Sequence, residues 1–438
     1  MPKRIIIIGG GFAGINLARS LAGNSQFQIT LVDKNNYNFF PPLLYQVSTG
    51  YLDPSSITYP IRNLFRGKEN FHFWMGELQE VVPQQKKIIL DNGELPYDYL
   101  VLATGTKTNF FGLEQLKEHA IPMKTLEDAL SMRNILLQRL EAASRIKDKE
   151  ERLPWLTMVI GGGGPTGVEI SGMFAELRNN TIRKEFPELA GSGAKIYLVN
   201  GGNELLSPMS KKSQEYALKN LKQMGVDVVL NTRIVDYDGE KVSLKNGKYI
   251  RSKNLIWATG VTGLIFKGIP TEAYDRGNRL KVNEINQVEG LENIFAIGDC
   301  CIQRTDPAFP EGHPQLAQVA IQQGKNLAKN FRRIENSQDT KAFKYNDKGS
   351  MAIIGSSKAV ADIPRPKLHF SGFIAWFMWV FIHLFSLINY RNRIRTFYNW
   401  SIEYFTRNQD LRLIIRPANS VAPQEIRESK TEKEHSGV

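Results

Sequence analysis

Two glycine-rich loops, each preceded by a short apolar run, constrain the fold of this 438-residue chain more than any other feature. Loop 1 lies in RIIIIGGGFAG and loop 2 in TMVIGGGGPTG, and both have the spacing G-x-G-x-x-G. In such a loop the first glycine allows a tight turn, the second lets the main chain approach a pyrophosphate, and the third lets helix and strand pack closely. The helix N-terminus then offers free N–H groups and a partial positive charge to the phosphates. Two such loops indicate two nucleotides held side by side, as in a flavoprotein that takes electrons from a nicotinamide, rather than glycine-rich turns without a ligand.

The residue that ends the next strand differs between the two units. In the first unit QITLVD ends at Asp33, about 20 positions after the loop, where a carboxylate accepts hydrogen bonds from a ribose. In the second unit KIYLVN ends at Asn200, and an asparagine does not repel a 2′-phosphate as a carboxylate would. The sequence therefore leaves the choice between NADH and NADPH open at the second site.

The two loops belong to an internal repeat. FHFWMGELQEVVPQQKKIILDNGELPYDYLVLATG and GVDVVLNTRIVDYDGEKVSLKNGKYIRSKNLIWATG each combine short strands with an NG turn and a terminal ATG. Between the first unit and its ATG repeat, NNYNFFPPLLYQVSTGYLD is too rich in aromatic residues and proline for a helix. We predict an α/β fold with two Rossmann-like dinucleotide-binding domains, one inserted in the other, plus a C-terminal helical membrane-anchoring segment.

The C-terminal segment carries half of the net charge of +12. Residues 363–420 contain only two acidic side chains, Glu403 and Asp410, against eight Lys and Arg. Such clustering indicates an anionic partner surface, either lipid or nucleic acid. The uncharged stretch 370–390 is just long enough to span a bilayer, but its tryptophans lie in the middle, and the basic stretch after it is amphipathic. We therefore favour an interfacial membrane anchor over the alternatives of a true span, a dimer interface or a core helix.

Only two cysteines are present, Cys300 and Cys301, and they are adjacent. A vicinal pair excludes a disulfide framework and is not the C-x-x-C of a redox-active disulfide. We expect two small apolar residues packed beside Asp299 in a protein of a reducing compartment.

Longer motifs make the chain resemble the type II NADH dehydrogenases, the single-subunit NADH:quinone oxidoreductases, over about residues 3–416. The motifs are NNYNFFPPLLYQV, GGGGPTGVE, GHPQLAQVAIQQG, YNDKGSMAIIG and AWFMWVFIHLFSLINYRNR. The resemblance implies hydride transfer from NADH, or from NADPH, to FAD, followed by two-electron reduction of a membrane quinone of the ubiquinone or menaquinone type without proton pumping. We also expect peripheral, monotopic attachment to an anionic membrane surface, on the cytoplasmic face of the cell inner membrane. The sequence does not identify the oligomeric state and leaves a homodimer open. We expect no nucleic-acid partner and no metal.

The resemblance also implies roles for individual residues. Glu169 would lie where the nicotinamide meets the flavin, and Gln318 and Gln322 would lie near the flavin ring at the quinone pocket. The alternatives are a helix first-turn carboxylate stabilised by the dipole for Glu169, and a polar helix face at i, i+4 spacing for the glutamines. The residues expected to bind FAD are Gly9, Gly11, Phe12, Ala13, Gly14, Asp33, Lys34, Gln46, Ala103, Thr104, Gly105, Asp299 and Ala317. The residues expected to bind the nicotinamide cofactor are Gly162, Gly164, Thr166, Gly167, Asn200, Ala258, Thr259 and Gly260.

Domain boundaries and competing functions complete the expectations. We expect an FAD-binding domain over 1–112 and 290–362, a connecting helix and linker over 113–152, an NAD(P)H-binding domain over 153–289, amphipathic membrane-anchor helices over 363–416, and a flexible tail over 417–438. The competing functions are an NADPH-preferring quinone reductase of the same fold, a sulfide:quinone oxidoreductase, and a non-catalytic basic protein that binds membranes or nucleic acid. Sulfide chemistry requires separated cysteines beside the flavin, which a vicinal pair does not provide.

Overall fold

The computed structural model describes residues 1–189, 191–406 and 412–415, so the tail expected at 417–438 lies outside the described residues. In those ranges the α-helices are α1 Phe12–Leu21, α2 Leu44–Ser48, α3 Pro54–Ile57, α4 Ile61–Leu64, α5 Glu114–His119, α6 Leu126–Arg145, α7 Lys149–Leu156, α8 Pro165–Glu176, α9 Arg183–Glu185, α10 Lys211–Gln223, α11 Ala317–Glu335, α12 Phe373–Ser386 and α13 Tyr390–Thr406. The strands are β1 Lys3–Ile8, β2 Phe27–Asp33, β3 Tyr37–Phe39, β4 Thr58–Pro60, β5 Phe71–Met75, β6 Leu78–Val82, β7 Lys87–Leu90, β8 Gly93–Pro96, β9 Tyr99–Leu102, β10 Lys107–Thr108, β11 Ile121–Pro122, β12 Met158–Gly161, β13 Ile196–Val199, β14 Val226–Val229, β15 Ile234–Tyr237, β16 Lys241–Leu244, β17 Tyr249–Arg251, β18 Asn254–Trp257, β19 Val261–Thr262, β20 Tyr274–Asp275, β21 Arg279–Val282, β22 Ile294–Ala296, β23 Cys301–Gln303, β24 Ser350–Ile353, β25 Ala359–Pro364 and β26 Lys367–Gly372.

Two five-stranded parallel sheets have the same plan. Their strand orders are β22-β9-β1-β2-β5 and β11-β18-β12-β13-β14, and a glycine loop follows the central strand of each. Each unit also carries a three-stranded antiparallel sheet, β6-β7-β8 or β15-β16-β17. The internal repeat and the Rossmann-like α/β fold are therefore confirmed.

The first sheet is completed by a strand from late in the chain. β22 pairs with β9, although the whole second five-stranded sheet lies between them in sequence. The four isoleucines of β1 are buried because helices cover the sheet, and such strands read as continuous apolar runs. One unit is thus inserted in the other, as the repeat predicted.

A short antiparallel pair joins the two units. β10 follows the first ATG segment and β19 follows the second, and these two strands hydrogen-bond to each other. The side chain of Trp257, at the end of β18, also donates a hydrogen bond to the carbonyl of Asn109 at 2.8 Å. Because each ATG lies at the carboxyl edge of its sheet, this pair brings the two carboxyl edges together.

The C-terminal unit is a β-meander, β24-β25-β26, followed by α12 and α13. The uncharged stretch 370–390 is divided between β26, the 14-residue α12 and the start of α13. Among the described helices, none is both long and apolar enough to cross a bilayer. The aromatic, proline-rich segment after β2 was expected to be non-helical, but it contains the short helix α2, and the short helix α3 begins directly after it. Their one or two turns are too short to give a helical pattern in sequence.

Candidate active site between the two glycine loops

The outer glycines of loop 1 are required by packing, whereas the middle glycine faces open space. Gly9 has φ +108°, and a Cβ on it would lie 2.3 Å from the carbonyl oxygen of Ala103. A Cβ on Gly14 would lie 2.0 Å from the carbonyl oxygen of Gly9. No atom lies within 4 Å of the position for a Cβ on Gly11, the residue that precedes α1. Of these three glycines, only Gly11 leaves room for a ligand to approach the main chain.

Loop 2 repeats this arrangement. A Cβ on Gly162 would lie 2.6 Å from the carbonyl oxygen of Ala258, and one on Gly167 would lie 1.8 Å from that of Gly162. Gly164 faces open space, and neither Gly164 nor Gly11 provides a side chain to cap the helix that follows it. Two helix N-termini with uncapped N–H groups and no side chain in front fit the pyrophosphates of two dinucleotides.

Asp33 and Asn200 occupy equivalent positions at the ends of β2 and β13. Asp33 accepts hydrogen bonds from the N–H of Gly10 at 2.6 Å and of Asn35 at 2.7 Å. Asn200 Oδ1 accepts from the N–H of Gly163 at 3.1 Å, and its Nδ2 donates to the carbonyl of Glu204 at 2.7 Å. Both side chains accept a hydrogen bond from their glycine loop. Only Asn200 also donates one, to the main chain that follows β13.

The ATG segments close the carboxyl edges of the sheets. In the first, Gly105 has φ +65° with open space around it, and the hydroxyls of Thr104 and Thr106 are buried without a hydrogen-bond partner among the described residues. In the second, Thr259 Oγ1 lies against loop 2, within 3.0 Å of the position for a Cβ on Gly162. Gly260 has φ +73° and packs against the ring of Phe111.

Asp299 follows β22 at the edge of the first sheet. Burial raises the pKa of its carboxyl, while the charges of Lys124 and Arg279 act in the opposite direction. Burial lowers the pKa of the Lys124 ammonium, and the carboxylate of Asp299 opposes this shift. The buried side chain of Gln323 accepts a hydrogen bond from the N–H of Gly298 at 2.7 Å and so holds the Asp299 turn.

The sequence did not identify Lys124 or Gln323. Gln323 is the next residue after Gln322 in AQVAIQQG, so the motif contained a signal for it. Lys124 lies between β11 and α6 and has no local pattern, because only the tertiary fold brings it to Asp299.

Glu169 is buried where α8 meets the C-terminal sheet. Its Oε1 lies 3.5 Å from the N–H of Ile353 in β24, and burial raises the pKa of its carboxyl to about 8. Burial raises the pKa of the nearby Tyr45 hydroxyl, and the charge of Glu169 adds to this shift. Glu169 is the fifth residue of α8, and no acidic residue lies in the first turn of that helix. The alternative of a first-turn carboxylate stabilised by the dipole is therefore wrong.

Gln318 and Gln322 both bond to main-chain groups of the segment before β24. Gln318 donates to the carbonyl of Gly349 at 2.9 Å and accepts from the N–H of Lys348 at 3.1 Å. Gln322 donates to the carbonyl and accepts from the N–H of Asn346, at 2.9 and 3.0 Å. The polar face of α11 thus fastens the strand that carries Ile353 to the first unit.

The other predicted residues of the first site divide into three groups. Gln46 is buried on α2, where it donates to the Tyr45 hydroxyl at 3.2 Å and accepts from Trp400 Nε1 of α13 at 2.7 Å. Phe12 and Ala13 begin α1, and Ala317 begins α11. The N-terminal parts of both helices lie against the Asp299 turn. Lys34 is exposed. In the second site, Thr166 is exposed in the first turn of α8.

Cys300 and Cys301 are both buried and unpaired, as expected for small apolar residues. Burial raises the pKa of both thiols and so disfavours the thiolate that disulfide or sulfide chemistry requires.

Comparison with known proteins places the chain in a family. Residues 3–324 match the family described as pyridine nucleotide-disulphide oxidoreductase, and residues 348–408 match the NDH2 C-terminal domain. Two type II NADH:quinone oxidoreductases of Mycobacterium tuberculosis are 34% and 32% identical to it, each over 92% of this chain and 87% or 88% of their own. One from Staphylococcus aureus is 29% identical over 82% of this chain and 90% of its own.

Solved structures agree with the sequence matches. NDH2 from Plasmodium falciparum in complex with NADH superposes with a TM-score of 0.86 and 25% identity, and covers 95% of this chain and 100% of its own. The sulfide:quinone oxidoreductase of Aquifex aeolicus, with a TM-score of 0.71, 20% identity and coverage of 95% and 96%, shares the fold. With its two opposed glycine loops and the NDH2 C-terminal domain, the chain belongs to the type II NADH:quinone oxidoreductases, a family of flavin-dependent enzymes.

Proposed function

We propose that this protein transfers a hydride from NADH to bound FAD and then two electrons to a membrane quinone. The observation that carries the proposal is the β10–β19 pair, which turns the carboxyl edges of the two sheets, each with its open glycine, toward each other. The balanced reaction is NADH plus a proton plus quinone to NAD⁺ plus quinol. Bound FAD supplies a carrier that accepts a hydride and passes its two electrons on to a quinone.

The residues of the first unit would hold FAD. The uncapped start of α1 would hold the pyrophosphate, Asp33 would hold the ribose, and Asp299 with Lys124 would hold a more distant part of the cofactor. Thr104 and Thr106 offer buried hydroxyls that have no other partner in the described residues. In the second unit, the start of α8, Asn200 and the ATG segment 258–260 would hold NADH.

Glu169 would hold a proton at its carboxyl close to the meeting point of the two nucleotides. Its pKa of about 8 keeps it mostly protonated near neutral pH, so it can supply the proton that quinone reduction consumes. Gln318 and Gln322 would act by holding the segment 346–349, and with it β24 and Ile353, against α11. This arrangement favours NADH:quinone oxidoreduction over the sulfide chemistry and non-catalytic binding considered from sequence.

A matched pair of glycine substitutions tests the assignment of the two loops. Gly11→Val and Gly164→Val each place a side chain in open space, so both variants should fold. We expect Gly11→Val to be purified without flavin. We expect Gly164→Val to retain flavin but to need much more NADH to reduce it.

The assay is an anaerobic titration of the purified protein. Flavin absorbance should fall on addition of NADH and return on addition of a quinone, and NADPH is titrated in parallel. A wild-type protein that contains no flavin, or a Gly164→Val variant that loses its flavin while Gly11→Val keeps it, would overturn the proposal.

We further propose that α12 and α13 lie on an anionic membrane surface. α12 exposes four phenylalanines at i, i+4 spacing, while Ala375 and Trp379 on its other face are buried. The four are Phe373, Phe377, Phe381 and Phe385. An exposed apolar stripe beside a basic helix is typical of a monotopic anchor.

Two features of this surface bear on its location. The His383 ring is neutral at pH 7, because burial lowers its pKa to about 4, so α12 carries no charge there. Arg391 and Arg395 are exposed on the first turns of α13 and would face lipid phosphates. We place the protein on the cytoplasmic face of the cell inner membrane, where NADH and a reducing environment occur together. A homodimer that covers the phenylalanine stripe is the competing occupant of this face.

A further inference from the structure

A cavity of about 500 Å³ lies on the side of the second unit away from its nucleotide site. Its floor includes Met158, Ile196 and Asn254, the first residues of β12, β13 and β18. The glycine loop and Asn200 follow the opposite, carboxyl ends of the same sheet. In open parallel sheets nucleotides bind at the carboxyl edge, so the redox reaction as proposed above makes no use of this cavity.

The walls of the cavity are largely apolar. α6 contributes three leucines, α7 contributes Trp155 and Leu156, and the end of α8 contributes Phe174 and Leu177. A volume of about 500 Å³ falls within the range of small-molecule sites, roughly 300–1,000 Å³. The shape and lining suit an aliphatic chain better than a polar metabolite.

The charged side chains that line this cavity are three arginines, Arg133, Arg178 and Arg412, with no aspartate or glutamate in the described lining. Arg133 is only 5% exposed, and within the described ranges its guanidinium forms no hydrogen bond and no ion pair. Arg412 pairs with Glu185 through Nη2, but its Nη1 is buried without a described partner. Two arginines that line one apolar space thus each have a buried nitrogen, Arg133 Nε and Arg412 Nη1, without an acceptor among the described residues.

A buried arginine without a partner is costly, because its charge is lost from water and five donors are always present. Arg178 differs, since it donates to the carbonyls of Met224 and Gly225. Asp53 is the acid whose charge acts on Arg133, but its carboxylate caps α3 by accepting from Ser55. An external carboxylate would satisfy Arg133 and Arg412 at once, and charge-assisted bonds to guanidinium are among the strongest in proteins.

We propose that this cavity binds a long-chain fatty acid. Its carboxylate would lie between Arg133 and Arg412, and its chain would lie along the leucines of α6 and the aromatic rings of Trp155 and Phe174. This site does not depend on the proposed redox function, because it shares no residue with either nucleotide site.

The segment 412–415 lies over α6 and contributes Arg412 to the cavity lining. Ile415 exchanges two hydrogen bonds with the side chain of Asn134, at 2.7 and 3.1 Å. Leu413 and Ile415 are more than half exposed. In sequence, the segment follows the end of α13, the helix proposed above to lie on lipid, after five residues.

Fluorescence quenching of the purified holoenzyme tests the proposal. Dibromostearate, used below its critical micelle concentration, should quench tryptophan fluorescence to saturation through its bromines. Trp155→Phe should remove most of that quenching, because Trp155 lines the cavity. Arg133→Met, which removes the charge and keeps most of the volume, should weaken binding by about tenfold or more.

Two further variants keep the result interpretable. Arg145→Met changes an exposed arginine on the same helix and should bind the probe as the wild type does. Leu140→Phe narrows the cavity without altering charge and should also weaken binding. If stearyl alcohol competes as well as stearate, the carboxylate assignment is wrong. If quenching does not saturate, survives in Trp155→Phe, or is as strong in Arg133→Met as in Arg145→Met, the site itself is wrong.

Discussion

Replacing Glu169 by glutamine removes a titratable group whose pKa differs greatly between the folded and unfolded protein. Burial raises the pKa of this carboxyl from 4.5 to about 8 in the folded state. Below pH 4.5 both states are protonated and no difference exists. Between pH 4.5 and 8 the unfolded chain loses the proton while the folded protein keeps it, so folding becomes less favourable as the pH rises. Above pH 8 the loss is complete. Glutamine, which stays neutral, has the same size and shows none of this dependence.

The size of the effect follows from the shift. A displacement of the pKa from 4.5 to about 8 corresponds to about 5 kcal/mol of stability lost across this interval. With about 2.1 cal/mol/K of unfolding entropy per residue, a 438-residue protein changes its melting temperature by roughly 1 °C per kcal/mol. The melting temperature of Glu169→Gln should therefore rise relative to that of the wild type by about 4 °C between pH 5 and pH 9.

The measurement is a thermal melt of both holoenzymes, followed by flavin and tryptophan fluorescence, at matched pH values. All other titratable groups are common to the two proteins, so their contributions cancel in the difference. A difference that stays constant with pH would refute the burial argument. A difference of opposite sign would show that the folded state stabilises the Glu169 anion and would also refute it.

Three other substitutions test separate parts of the structure. Asn200→Asp should destabilise loop 2 by about 1–3 kcal/mol, because the carbonyl of Glu204 loses its donor and faces a carboxylate, and it should lower kcat/KM for NADPH more than for NADH. Gln323→Leu leaves the N–H of Gly298 buried without an acceptor, so we expect a similar loss of stability, seen in thermal melts, and weaker flavin retention. Phe381→Ser together with Phe385→Ser should reduce sedimentation with phosphatidylglycerol vesicles while flavin reduction by NADH is unchanged, and a shift from dimer to monomer in light scattering would favour the homodimer instead.

The repeated α/β units were predictable because their signals are local. The four isoleucines of β1 form a continuous apolar run, and Gly9 and Gly14 stand where a side chain would clash with the main chain. Asp33 was found by its distance along the chain from loop 1. Each signal lies within one strand–loop–helix unit, so a single sequence contains all of it.

The parts of the site that sequence missed depend on contacts between distant segments. Lys124 reaches Asp299 across 175 positions, and Trp400 of α13 donates to Gln46 across more than 350. The burial of Arg133 also depends on distant segments, and nothing in the sequence distinguishes it from other arginines on an amphipathic helix. Only the packing of α6 against α2, α7 and the segment 412–415 shows that its guanidinium is buried and unpartnered.

The asparagine at the end of β13 illustrates how structure changes the meaning of a residue type. From sequence alone, the missing carboxylate at Asn200 leaves the choice between NADH and NADPH open. In the structure the side chain has two tasks, accepting from Gly163 and donating to Glu204, and no carboxylate can perform the second. Asp33 only accepts hydrogen bonds, from two N–H donors. The amide is therefore accounted for by the main chain of residues 200–204, and its presence alone carries no information about a 2′-phosphate. Nicotinamide preference must depend on what else surrounds the ribose, which the parallel titration with NADH and NADPH measures directly.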